Sequence, residues 1–321
     1  MPSGSTSAIP EWLPPRVTIG TPATARQPEP QLVDTRQLTE GWAVTQIVWS
    51  GEPGAPSSEL VVPQRRALLI VGQRPGDAEP AGLYALDLSD GAIRKLSREG
   101  DSVSGVAELA DGSILYAARA RAGGRVNLQI GTDGVPRPVA PTVDAHAVAR
   151  GADGALFVTE GAEKDAFQLA RHANLDDRKG TVLASGDVSP IPPAVSTSGD
   201  YVVFGRGGDC GSADHPRCSA AQLLMASREG RGARVLFDRA HVHAAAFHPS
   251  GRTLLFASDL DRAAFELYAL DPLASSEAPR RVTFDQGDCP ALSSDGRFLA
   301  FTSTRGGGSH DVFVATFIED P

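Results

Sequence analysis

Residues 288–317, DCPALSSDGRFLAFTSTRGGGSHDVFVATF, decide how the chain is read. They divide into a strand, a tight Asp295-Gly296 turn, a second strand, a polar Gly-rich loop and a third strand. Each apolar run has the period-2 or continuous pattern of a buried sheet. The same order occurs one unit earlier, in residues 242–271, VHAAAFHPSGRTLLFASDLDRAAFELYALD. Recurrence at a period of roughly forty residues is the signature of a β-fold built by radial repetition.

Working outward, the first-turn glycines Gly112, Gly154, Gly199, Gly251 and Gly296 are spaced by 42, 45, 52 and 45 residues. Glycine at these places supplies the positive φ of a two-residue hairpin turn. The longest spacing holds an insertion, GGDCGSADHPRCSA, at residues 207–220. Another insertion, at 51–58, interrupts the first hairpin of the first unit. No window carries the caps and 3.6-residue period of a helix. The final unit stops at Phe317 with three strands, while residues 33–39, VDTRQLT, read as a strand with no unit before it. That segment resembles the ends of later units, IRKLS at 93–97 and RRVTF at 280–284. The economical arrangement places it beside 311–317 as the missing fourth strand, which leaves no open seam. The sequence therefore predicts an all-β fold, a six-bladed β-propeller with four-stranded blades over residues 33–321. A Pro/Ser/Thr-rich arm at 1–32 precedes it.

The formal net charge of −9 disfavours a nucleic-acid surface, which needs clustered Lys and Arg. The longest apolar runs, at 67–71 and 298–301, fall far short of the ~20 residues that cross a bilayer. The chain does not open on a basic segment followed by an apolar one, so no signal peptide is visible. Cys210 and Cys218 bracket a short polar loop. They read either as a small disulfide in an oxidising compartment or as two reduced thiols. Cys289, at the start of an inner strand, reads as a small buried hydrophobe.

No G-x-S-x-G elbow, H-E-x-x-H helix or phosphate-cradling loop is present, and no catalytic residue is assigned. Units repeatedly enter their first strand on an acid, at Asp101, Asp144, Asp187 and Asp288. A partial ring of carboxylates at the axis has three readings: an oxygen site for Ca²⁺, an attraction for a basic peptide, or hydrogen bonds to the inner-strand turns. His241 and His243 alternate onto one side of a strand, within reach of a common ion. Two ligands are fewer than a zinc site needs, and channel-lining histidines are the competing reading.

The segment Pro290 to Arg297, followed by FLAFTSTRGGGSHDVFVATF, resembles the PD40 (TolB-type) propeller repeat. That repeat runs P-x-W-S-P-D-G-K, then a strand ending near Ser-x-Arg-x-Gly, then Asp-Ile-Tyr-Val. AFHPSGR at 246–252 with FELY at 265–268, and PAVSTSG at 193–199, keep its frame, and Trp49-Ser50 matches its aromatic position. Blades two and three depart from it, with Glu108 and Arg150 where the repeat has Trp. The resemblance implies a rigid periplasmic or extracytoplasmic propeller that binds protein partners through its faces and channel. A Tol-Pal role does not carry over, because the N-terminal stretch offers a Pro-rich arm where TolB has an α/β domain. The expected function is a non-catalytic protein-binding scaffold, with the arm as a second attachment segment and no cofactor. The competing expectation is a calcium-dependent lactonase or esterase-type propeller with Ca²⁺ in the axial pit. It would need an axial Glu/Asn/Asp cluster, and Asn127 and Asn174 lie far from the strand starts.

Overall fold

The computed structural model describes residues 25, 27–50, 67–131, 133–139, 145–161, 167–208, 218–261, 264–274 and 278–319. The arm up to residue 24, the insertion at 51–58, Asp144 and Cys210 lie outside them. Among the described residues there are twenty-four strands and no helix. Among the described residues, therefore, no helix is long and apolar enough to cross a membrane.

The strands are β1 (Leu32–Gln37), β2 (Ala43–Ser50), β3 (Ala67–Gln73), β4 (Gly82–Asp87), β5 (Ile93–Lys95), β6 (Ser102–Glu108), β7 (Ile114–Arg119) and β8 (Arg125–Ile130). Then come β9 (Pro136–Pro138), β10 (Ala145–Arg150), β11 (Leu156–Glu160), β12 (Phe167–His172), β13 (Thr181–Val188), β14 (Ala194–Val195), β15 (Tyr201–Arg206) and β16 (Gln222–Ser227). The chain ends with β17 (Arg234–Phe237), β18 (Val242–Phe247), β19 (Leu254–Ser258), β20 (Glu266–Leu270), β21 (Arg280–Arg281), β22 (Asp288–Leu292), β23 (Phe298–Ser303) and β24 (Asp311–Phe317).

They form an all-β, propeller-like fold. Four sheets have four strands each, ordered β2-β3-β4-β5, β6-β7-β8-β9, β18-β19-β20-β21 and β1-β24-β23-β22. The remaining eight strands form one sheet, β10-β11-β12-β13-β15-β16-β17, with β14 paired to β15. A single residue pair, Val188↔Arg206, joins its two halves. It exists because β13 runs on as far as Val188.

The N-terminal strand closes the last sheet. β1 pairs antiparallel with β24 from Leu32↔Phe317 to Gln37↔Phe313. Leu38 N–H then donates to Val312 O at 2.8 Å. The Asp311 carboxylate accepts from Thr39 Oγ1 (3.0 Å), Gly41 N (3.1 Å) and Trp42 N (2.9 Å), fixing the path from β1 into β2.

The middle strands are apolar on both faces because each sheet is covered by its neighbours. β3 (ALLIVGQ) and β23 (FLAFTS) are almost wholly buried, whereas the outer β13 is largely exposed. The first strands touch one another in cyclic order: β2 with β6, β6 with β10, β10 with β14, β14 with β18, β18 with β22, and β22 with β2. Each neighbouring pair of four-strand groups encloses its own apolar core. Leu68 and Tyr84 meet Val312, Leu69 meets Val106, Ala117 meets Val158, Phe157 meets Phe204, Met225 meets Phe256, and Leu255 meets Phe301.

The hairpin turns differ from the two-residue form expected. Gly112 N–H bonds Leu109 O and Leu109 N–H bonds Ser113 O, leaving three residues in the loop; Gly154 repeats this between Gly151 and Ala155. At Gly199, Gly251 and Gly296 the closing bonds run Ser196 to Tyr201, His248 to Thr253 and Ser293 to Phe298, leaving four. All five glycines keep φ between 71° and 80°, the left-handed residue that follows a type I turn. The extra residue coincides with the units that match the PD40 pattern.

Candidate functional site

The axial ends of five of the six first strands share one irregularity; β14 is the exception. The pairing register slips between Val44 and Gln46, Val103 and Gly105, Ala145 and Ala147, Val242 and Ala244, and Asp288 and Ala291. A bulge at the same place in each strand re-aims one side chain out of the pleat. The re-aimed residues include Thr45, Ser104, His146, His243 and Cys289. Thr45 and Ser104 return their hydroxyls to Val71 O (3.3 Å) and Ala117 O (3.4 Å) of the paired strand. Cys289, at φ 50°, directs its thiol to Thr45 O at 3.0 Å, across the seam between last and first sheets.

The bulge separates the two histidines that the sequence places on one side of a strand. His241 precedes β18, is exposed, and contacts Asp259 at 3.2 Å. His243 occupies the bulge, stacks on Phe265 with centroids 3.4 Å apart, and meets Asp288 at 3.0 Å. Period-2 alternation does not survive a bulge, and each histidine meets a different carboxylate, Asp259 for His241 and Asp288 for His243. Asp288 is buried, and its second oxygen accepts Cys289 N–H at 2.7 Å. Asp101 is buried before β6, with Oδ2 lacking a hydrogen-bond partner. Asp187 is exposed near the end of the outer strand β13, in a left-handed conformation (φ 62°), and does not enter a first strand. Asp144 lies outside the described residues. Among those described, no group of three or more His, Cys, Asp or Glu side chains is placed to hold a metal ion.

His146 is neutral at ordinary pH. Burial, with repulsion from Arg125 and Arg119, pushes its pKa down to about 3. Its ring lies edge-on to Phe167, 4.4 Å between centroids.

A second cluster lies in the seam between β6–β9 and β10–β13, and no local pattern announces it. Glu160 and His172 stand near opposite ends of the β11–β12 pair, on the face where Ala170 leaves room between them. Both are buried, with Glu160 Oε2 3.4 Å from His172 Nε2. His172 Nδ1 is 2.8 Å from Asp177 O, and Gln168 donates to Glu160 Oε1 at 2.7 Å. The Glu160 carboxylate raises the His172 pKa, assisted by the Asp177 carbonyl and opposed by burial. Beside His172 is a small cavity of about 20 Å³, room for roughly one water, and its wall includes Asn127 and Asn174. These asparagines lie at a seam rather than at the axis.

No family model matches the chain, and no curated protein matches it. Solved structures do. The gluconolactonase XC5397 from Xanthomonas campestris aligns over 94% of this chain and 100% of its own, at 14% identity and a TM-score of 0.58. A putative TolB from Agrobacterium tumefaciens aligns over 86% and 91%, at 14% identity and 0.55. An oligogalacturonate lyase in complex with manganese aligns over 92% and 96%, at 16% identity and 0.54. At these identities the likeness is one of fold: the chain has the propeller fold of TolB-like proteins, which gluconolactonases and lyases share.

Proposed function

We propose that residues 33–321 form a six-bladed propeller acting as a non-catalytic protein-binding scaffold in an extracytoplasmic bacterial assembly. The six-blade count divides the eight-stranded sheet at its single Val188↔Arg206 pair. The core between Phe157 and Phe204 supports that division, because the two halves pack face to face there as the other neighbouring sheets do. Protein partners would dock on the propeller faces. The arm at 1–32 would serve as an extended attachment segment, since Pro-rich chains lose little entropy on docking.

One observation carries the non-catalytic reading. The two predicted ligands that meet, His243 and Asp288, are committed to each other, to the Phe265 ring and to the Cys289 N–H. They brace the junction of the fifth and last units, which is the hydrogen-bonding reading of the acid series. Cys218 is disulfide-bonded and Cys289 keeps its thiol outside any disulfide, which supports an oxidising compartment and a Cys210–Cys218 bridge.

Asp101, with a buried carboxylate oxygen lacking a partner, favours the second reading, a calcium-dependent hydrolase of the lactonase type. Thermal melting separates the two. A ligand at a hundred times its Kd stabilises by about 2.7 kcal/mol. The scaffold reading expects the same Tm in calcium and in EDTA. A saturable rise with calcium, reversed by EDTA, would transfer the assignment to the hydrolase.

A further inference from the structure

We propose that the β7–β8 hairpin end of the β6–β9 sheet docks an acidic, extended peptide segment of a protein partner, gripped by Arg98, Arg119, Arg121 and Arg125. The site rests on the scaffold reading and gives one of its surfaces a chemistry. Arg119 and Arg125 stand directly opposite each other across β7–β8, and Arg119 also pairs with Ser102 at the axial end of β6. Arg121 lies in the hairpin between them and packs over Gly100, its Cδ 2.7 Å from where a β-carbon would sit. Gly100 belongs to the turn in which Arg98 O accepts Asp101 N–H at 3.4 Å. Arg98, Arg119 and Arg121 are exposed, and Arg125 is half-buried. Glu99 is exposed beside them and Asp101 is buried, while Glu108 and Asp111 stand at the other end of the sheet.

This arrangement costs the isolated chain stability, because like charges directly opposite on a ladder repel. The same two arginines act on the neighbouring His146 and help to keep it neutral. In a chain of net charge −9, this end of one sheet is locally cationic. The tip of the hairpin is also bare. Gly123 and Gly124 have φ of 89° and 82°, and open space lies where a side chain would project, so another main chain can come close. Guanidinium forks match carboxylates bidentately. Carboxylates two residues apart on an extended segment are spaced by about 6.6 Å, which suits arginines whose β-carbons lie about 5 Å apart. Duplex nucleic acid is the poorer fit, since its binders neutralise roughly six to ten phosphates and an otherwise acidic chain repels the rest.

The test uses the full chain and the fluorescence anisotropy of a fluorescein-labelled Glu-Ser repeat peptide, with a Gln-Ser repeat and an oligothymidylate as controls. Saturable binding is expected for the Glu-Ser peptide at about 50 mM salt, weakened at least about tenfold by 0.5 M salt, and none for the Gln-Ser peptide. Arg121→Glu should weaken binding by about tenfold or more. Lys179→Glu changes the net charge equally, but it lies between β12 and β13 at the opposite end of a sheet, and should leave binding as it is. Arg98→Glu replaces the first variant if that one fails to fold. An absence of saturable binding would overturn the proposal. So would equal losses in the two charge reversals, or tighter binding of the oligothymidylate. Peptide binding together with a calcium-dependent Tm would sink the scaffold reading and leave this site standing. No peptide binding with a Tm indifferent to calcium would sink this site alone.

Discussion

Two buried charge pairs show how differently one kind of contact can be used. Glu29, from a Pro-rich stretch, meets Arg305 where the two side chains are 5% and 1% exposed. Both guanidinium nitrogens donate to it at 2.9 Å, Phe284 N–H adds a third bond, and the Phe301 and Phe313 rings flank the cation. That pair is satisfied, and removing either partner would leave a buried charge worth roughly 3–5 kcal/mol of stability. Glu160 and His172 are not satisfied in this way, which makes their contribution depend on pH. The folded pKa of His172 lies above its unfolded value, about 6.5. Its stabilisation is therefore complete below about pH 6.5 and is lost as pH rises through the folded pKa. The groups that set this are Glu160, which meets Nε2, and Asp177, whose carbonyl meets Nδ1. His172→Gln removes the charge, so the stability gap between parent and variant should be widest near about pH 6 and narrow by about pH 9. Each unit of pKa elevation is worth about 1.4 kcal/mol of that gap. Urea midpoints at both pH values measure it, and a gap that widens with pH would refute the assignment.

Among the elements, β1 carries the most consequence for its six residues. It covers the edge of β24, buries Leu32 and leads to the buried Leu38 and Thr39. Leu32 at about 1.5–3 kcal/mol, with an orphaned Arg305 at roughly 3–5, is a large share of the stability of an ordinary domain. Deleting residues 1–37 should therefore leave a chain that aggregates through the bare β24 edge. Size-exclusion and circular dichroism decide it, and a monomeric, folded product of the deletion would show that the closing strand is dispensable. The segment was legible in the sequence because its pattern matched the ends of later units while the last unit lacked one strand. Turn positions were legible because glycine marks them. Turn length was not, since one extra residue between Ser293 and Phe298 leaves the glycine spacing nearly unchanged. The bulges were also hidden: HVHAAAF reads as simple alternation, and only the pairing partner shows that His243 stands outside it. Glu160 and His172 meet across a face whose spacing is set by the small Ala170, and Glu29 finds Arg305 from 276 residues away. Long-range contacts of this kind have no local signature.

At the scale of the whole molecule, the first strands contact one another in a cycle with no free end. Linear repeat arrays fray because terminal repeats have one neighbour, but a closed cycle gives every sheet two. Opening it anywhere should therefore cost an entire interface. The seam where the ends of the chain meet is the natural place to look for failure, and it is well instrumented. Trp49 donates its indole N–H to Ala291 O at 2.8 Å, from β2 to β22. Trp42 donates its backbone N–H to Asp311 and packs edge-on to Tyr84 at 4.9 Å. With Trp12, the third tryptophan of the chain, replaced by Phe, Trp42 and Trp49 report the closing seam, while far-ultraviolet circular dichroism reports every sheet. The strength of this seam, with its shared core of Leu38, Ile70, Val312 and Val314, predicts that the two signals follow one urea transition with the same midpoint. Fluorescence leading the dichroism by more than about half a molar of urea would mean that the ring opens before the sheets melt. The closing strand would then be a latch rather than an integral part of the fold.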